Sequence, residues 1–134
     1  MKNVTIAMKL FLFLLFVSCK PDNELTLERG NYFYEQEDYH EAANQYKKII
    51  LNATSKKSLN EKETAILAHA YQQKSLCYAR LAESVNDIDS KKMYYRDALK
   101  DIKKACDLAT QSNKIQEYRK TQTGIRNKSK QYLN

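Results

Sequence analysis

The chain has two glycines, one proline and no tryptophan in 134 residues. So few turn-forming residues leave little of the chemistry that closes β-hairpins, and no strands are expected. Catalytic equipment is also sparse. The two histidines are His40 and His69; no glycine-rich loop frames a phosphate, and no serine sits in a nucleophile motif. His40-Glu41-Ala42-Ala43-Asn44 approaches the HExxH zinc pattern, but Asn44 stands where the second histidine must bind the metal. His69, on a helical stripe, reads as a packing or surface residue rather than a base. No enzymatic activity and no metal are therefore expected. The apolar run Leu10 to Val17 is eight residues long, far short of the ~20 that span a bilayer as a helix.

Helical periodicity fills the rest of the chain. Tyr39, Ala42, Ala43, Tyr46, Ile49 and Ile50 recur at spacings of three and four, so they share one buried face. Asp38 is placed to cap that helix, and Glu41 to complete a capping box with it. Upstream, Leu27, Gly30, Phe33 and Tyr34 form a second stripe, with Gly30 where a neighbouring helix can come close. Together they predict an antiparallel helical hairpin.

The hairpin resembles a tetratricopeptide repeat, whose small and aromatic signature positions fall on Gly30, Asn31, Phe33, Tyr39, Ala42 and Tyr46. Glu37 replaces the usual turn Gly, Ile49 the last small Ala and Thr54 the terminal Pro; the close-packing pair Gly30 and Ala42 is retained. A second copy is marked by Tyr95, Ala98, Ile102 and Ala105, within a helix expected from Ser90 to Thr110. Ala68, Tyr71, Ser75, Tyr78 and Ala82 form its partner, a helix from about Glu61 with a capping box at Ser58 and Glu61. Tyr95 lies 56 residues after Tyr39, against a regular period of ~34, so this second unit is degenerate. Ile115, Tyr118, Gln122, Ile125 and Tyr132 line a last helix that docks on the preceding one. Gly124 weakens it by about 1 kcal/mol relative to Ala. The expected fold is all-α: a short antiparallel stack of about five helices, with hairpins over residues 25–112 and a basic capping helix over 113–134.

Residues 1–18 read differently. Lys2 and Lys9 precede the short apolar run, the pattern of a signal peptide. The run ends Phe16-Val17-Ser18-Cys19, which resembles the lipobox of bacterial lipoproteins, with Phe16 in place of the usual Leu. A compact version of the leader, beginning at Met8, is the alternative to a start at Met1. The resemblance implies that Cys19 is lipidated and becomes the mature N-terminus, with residues 19–24 a short tether. Each buried methylene adds ~0.8 kcal/mol, so two or more acyl chains anchor a protein stably. Lys20 replaces the Asp that retains enteric lipoproteins at the inner membrane, so the resemblance points to the outer membrane of the cell envelope. No cofactor is expected beyond the covalent lipid on Cys19.

Two further cysteines, Cys77 and Cys106, lie in the helical region. A loop centred near Ile88 offsets them by roughly 10 Å along the helix axes, beyond the ~7 Å Cα limit of a disulfide, and leaves two thiols. A centre three or four residues away would allow a bridge.

Charge is concentrated at the end of the chain. From Lys20 to Ser112, 15 basic residues balance 15 acidic ones, whereas Lys114, Arg119, Lys120, Arg126, Lys128 and Lys130 face Glu117 alone. The basic surface formed by Arg119, Lys120, Arg126 and Lys128 suits anionic lipid, a cell-wall polymer or an acidic protein. Nucleic acid is not expected as a partner of a lipid-anchored envelope protein. The family resemblance implies a protein-binding groove on first-helix positions: Asn31 and Tyr34 in the first unit, Gln72 and Arg80 in the second. Asn can hold the backbone of an extended peptide, and Tyr offers a flat anchor. The expected function is an envelope adaptor holding a protein or peptide. The alternatives are a small-ligand or glycan-binding lipoprotein and a structural protein that contacts lipid or cell wall through its tail.

Overall fold

The computed structural model describes residues 22–134. The expected leader, Cys19 and the start of the expected tether lie outside them. Five α-helices make up 85% of the described residues, with no strand among them, so the fold is an all-α stack. The helices are α1 (Asn23–Glu35), α2 (Tyr39–Thr54), α3 (Glu61–Ser84), α4 (Ile88–Leu108) and α5 (Ser112–Leu133). Each packs on the next, most extensively α3 on α4. The alternate helices α1, α3 and α5 also touch in sequence, whereas α2 and α4 form the second layer.

Side-chain caps set most helix starts. Asp22 accepts from the Glu24 amide at 2.9 Å, Asp38 from Glu41 at 3.1 Å and Asp87 from Ser90 at 2.8 Å. Each satisfies an amide that lacks an intrahelical partner. Asp38 is the cap expected, but Glu41 does not complete a box: its carboxylate binds the side chains of Asn44 and Gln45 instead. The box at the start of α3 also differs from expectation. Asn60 and Glu63 form it, at 2.9 and 3.0 Å, two residues beyond Ser58 and Glu61. Asn60 is still extended, at φ −77° and ψ 174°, so the helix begins only at Glu61, with Leu59 before it packed against the core. Asp87 likewise starts α4 two residues before Ser90, and Asp22 draws Asn23 and Glu24 of the expected tether into α1.

The α1–α2 turn closes with a Schellman motif, in which the Asp38 amide donates to Phe33 O and the Glu37 amide to Tyr34 O, each at 3.0 Å. Glu37 occupies the left-handed position, at φ 61°. A residue with a Cβ pays roughly 1–2 kcal/mol there, partly offset by the lower entropy of its unfolded chain. Glu37→Gly should therefore stabilise the protein by about 0.5–1 kcal/mol, seen as a higher urea midpoint at unchanged m-value. No gain would mean that the Glu37 side chain makes compensating contacts.

The core has two clusters that share Tyr71, Tyr78 and Leu108. Ala42, Tyr46, Ile49, Leu67 and Cys77 centre the first, between α2 and α3. Ala82, Tyr95, Ala98, Ile102, Tyr118 and Ile125 centre the second, between α3, α4 and α5. Gly30 is buried against the Tyr46 ring: a Cβ built on it would lie 2.5 Å from a ring carbon. Tyr46, rather than the expected Ala42, is thus what needs a glycine here. The Tyr46 hydroxyl donates to Asn31 Oδ1 at 2.8 Å and ties α2 to α1.

The last helix runs unbroken through Gly124, where an added Cβ would meet nothing within 4 Å. Tyr132 stacks on Tyr95 with ring centroids 5.7 Å apart, which seats its end on α4. Its packing is broader than expected, because it also returns over α3, where Gln72 Nε2 donates to Glu117 at 3.1 Å and to Thr121 at 3.3 Å.

Candidate functional site

Because α1, α3 and α5 share one layer, their upper halves enclose a depression of about 200 Å³. Tyr34 of α1 forms one wall. Leu76, Ala79, Arg80 and Glu83 of α3 form the floor, and Gly124, Ile125 and Lys128 of α5 the far wall. The absence of a side chain at Gly124 keeps this wall low.

A short charge relay crosses the groove. Glu83 accepts from Arg80 at 3.3 Å and also pairs with Lys128, joining α3 to α5. Burial works against its charge, but the Lys128 hydrogen bond and the two cations prevail and lower its pKa. Arg80 lies beside the Tyr34 hydroxyl, whose hydrogen bond raises the guanidinium pKa. The site thus offers an aromatic face, an apolar floor and two half-exposed cations held by one carboxylate. These are contacts for side chains of an extended segment and for acidic or carbonyl oxygen.

Of the residues expected to line a groove, Tyr34 and Arg80 do meet here. Asn31 is occupied by the Tyr46 hydroxyl, which makes it a brace between α1 and α2. Gln72, 4% exposed, is buried under α5, with its Nε2 spent on Glu117 and Thr121. It has no surface to offer a ligand. Glu83, Gly124 and Lys128 were not foreseen as groove residues, since the last helix was expected to dock only on its predecessor. The stripe order carried the signal: if first and third helices share a layer, so does the fifth.

A second depression, of about 220 Å³, lies at the opposite end between the start of α3 and the α4–α5 connection, lined by Ala65, Ala68, His69, Leu108, Lys114 and Tyr118. Burial first and the nearby Lys114 second lower the His69 pKa, which favours the neutral ring. A larger crease of about 610 Å³ between α1, the end of α2 and the start of α3 is lined by polar and charged residues with Ile66, and bounded by the Lys56–Glu63 and Lys62–Glu24 ion pairs.

Both cysteines of the described residues are free thiols in different core clusters. Burial pushes Cys77 up to about 12, so it stays protonated and unreactive at neutral pH. Cys106 is half-buried and also raised by burial. Among the described residues, no group of three or more His, Cys, Asp or Glu side chains is placed to hold a metal ion. None of their helices is long and apolar enough to cross a membrane.

Arg119, Lys120, Arg126 and Lys128 are all exposed on α5. Lys128 turns toward the groove and Glu83. The other three form no ion pair among the described residues.

No family model, curated protein or solved structure matches the chain. The structure defines a class: an all-α stack of helical hairpins with a small groove between α1, α3 and α5.

Proposed function

We propose that this protein is a lipid-anchored adaptor of the bacterial cell envelope, in which a tetratricopeptide-like stack holds a segment of a partner protein in the groove between α1, α3 and α5. The observation that carries this reading is the convergence of Tyr34, Arg80, Glu83 and Lys128 from three helices around one open depression. Its size favours a peptide over a small ligand: about 200 Å³ is below the ~300–1,000 Å³ usual for enclosed small-molecule sites, but accepts one or two side chains. The anchor rests on the lipobox-like Phe16-Val17-Ser18-Cys19, and the repeat assignment on the signature residues Gly30 to Tyr46. No catalytic role is proposed.

Gly124 separates binding from stability. Gly124→Leu puts a bulky side chain into the groove from a position where an added Cβ meets nothing, and it raises helix propensity by about 1 kcal/mol. In intact cells, crosslinking of the full chain followed by mass spectrometry should lose its main partner in this variant, at an unchanged or higher melting temperature. Retention of every partner would remove the groove hypothesis. The same spectra should show acylated Cys19 as the mature N-terminus, and an unmodified Cys19 would remove the anchor.

A further inference from the structure

The two edges of the stack carry opposite charge. Over residues 22–38, Asp22, Glu24, Glu28, Glu35, Glu37 and Asp38 stand against Arg29 alone, a formal −5 that mirrors the +5 of residues 113–134. On α1 the packed face holds Gly30, Leu27 and Phe33. Leu25, Glu28, Tyr32 and Glu35 lie on the opposite face at spacings of three and four, and all are exposed. Two of them are large and apolar, with Leu25 46% and Tyr32 59% exposed. On α5 the packed face holds Tyr118, Ile125 and Ser129. Arg119, Thr123, Arg126 and Lys130 form an exposed stripe with no acid in it. None of Glu28, Glu35, Arg119, Arg126 and Lys130 takes part in an ion pair among the described residues.

We infer that the α1 edge of one molecule docks on the α5 edge of a second copy of this chain. The spacings match: Glu28 and Glu35 are seven residues apart, as are Arg119 and Arg126, so both pairs repeat every two turns, about 10.5 Å. Arginine suits this contact, because its guanidinium binds a carboxylate in a fixed fork and its stem covers apolar surface. Tyr32, between the two acids, faces the gap at small Thr123 between the two arginines, where a ring can lie under a guanidinium. The contact is head-to-tail: each copy uses one edge as donor and the other as acceptor, so it generates a ring or an open chain rather than a closed dimer. Two helix edges bury less than the ~1,200 Å² of a standard stable interface. The association is therefore weak, concentration-dependent and salt-sensitive. It lies outside the groove and leaves it open.

Sedimentation velocity of the full chain in mild detergent tests this. At about 0.01 M salt, where the Debye length is ~30 Å, the weight-average mass should rise with protein concentration; at about 1 M, where it is ~3 Å, the protein should be monomeric. Glu28→Arg with Glu35→Arg makes both edges basic, and Arg119→Glu with Arg126→Glu makes both acidic. Each variant alone should stay monomeric at low salt, whereas an equimolar mixture should associate again, because each reversed edge meets its complement. That recovery also shows that both variants are folded. A monomeric wild type at low salt, association persisting in either variant, or a mixture that stays monomeric overturns the inference. So does a monomeric wild type that binds anionic vesicles through Arg119 and Arg126, which would assign the α5 edge to a lipid surface.

Discussion

Gly30→Ala should cost about 3 kcal/mol of folding stability, although alanine is the better helix former by about 1 kcal/mol. The added Cβ lies 2.5 Å from the Tyr46 ring, well inside contact distance. The ring cannot turn aside cheaply: Tyr46 is fully buried and its hydroxyl is committed to Asn31. Overpacking of this kind costs typically 1–3 kcal/mol. Moving the ring also strands a buried hydroxyl, for about 1–3 kcal/mol more. Burial already raises the Tyr46 pKa, so ionisation offers no escape near neutral pH. The check is a double-mutant cycle by urea unfolding. Tyr46→Leu should be destabilising alone, but Gly30→Ala should cost much less in its presence, since the clashing ring is gone. An equal cost in both backgrounds would show that α1 bends at Gly30 rather than meeting Tyr46.

The same pair marks how far the sequence could be read. The stripes through Gly30, Tyr46, Ala82, Tyr95 and Ile125 were legible because helical periodicity is local: spacings of three and four determine which side chains share a face, whatever that face meets. The caps at Asp38 and near Asn60 were legible for the same reason, to within two residues. Partners across helices were not. Gly30 was matched to Ala42 by its place in the repeat signature, whereas the true neighbour is set by the rotamer of Tyr46. Gln72 is placed in the groove by the resemblance to first-helix positions of the repeat family. Its burial depends on α5 returning over α3, a contact 45 residues away in sequence, and no local pattern records that. Glu83 carries no signal of its own in the sequence, and Lys128 reads only as part of the basic surface of the last helix, because their pairing across the groove exists only once the helices meet. Asn31 shows the converse: the Oδ1 of a side chain read as a ligand contact accepts from the Tyr46 hydroxyl within the fold.

Lys74 and Asp101 carried no local signal either, and the second large effect is expected there. Lys74→Met should destabilise the protein by about 3–5 kcal/mol at pH 7, because removing one partner of a buried ion pair leaves the other charge uncompensated. Lys74 Nζ lies 3.0 Å from Asp101 Oδ2, with the two side chains 14% and 8% exposed. That oxygen has no further partner. The ammonium also sits 5.3 Å from the centre of the Tyr78 ring. Burial raises the Asp101 pKa, and Lys74 only partly offsets it. A carboxyl whose folded pKa is raised above its unfolded value of ~3.9 contributes stability that is fully present below that value and lost as pH rises through the folded pKa. Without Lys74 the folded pKa rises further, so the variant should approach wild type near pH 4 and fall steadily behind it toward pH 7. Asp101→Asn in the same background should remove that slope. Replacing both residues, Lys74→Met with Asp101→Leu, should come within about 1 kcal/mol of wild type, since apolar side chains often substitute for a buried pair without loss. A Lys74→Met penalty equal at pH 4 and pH 7 would show that the lysine contributes packing through its stem and over Tyr78, with its charge irrelevant to Asp101.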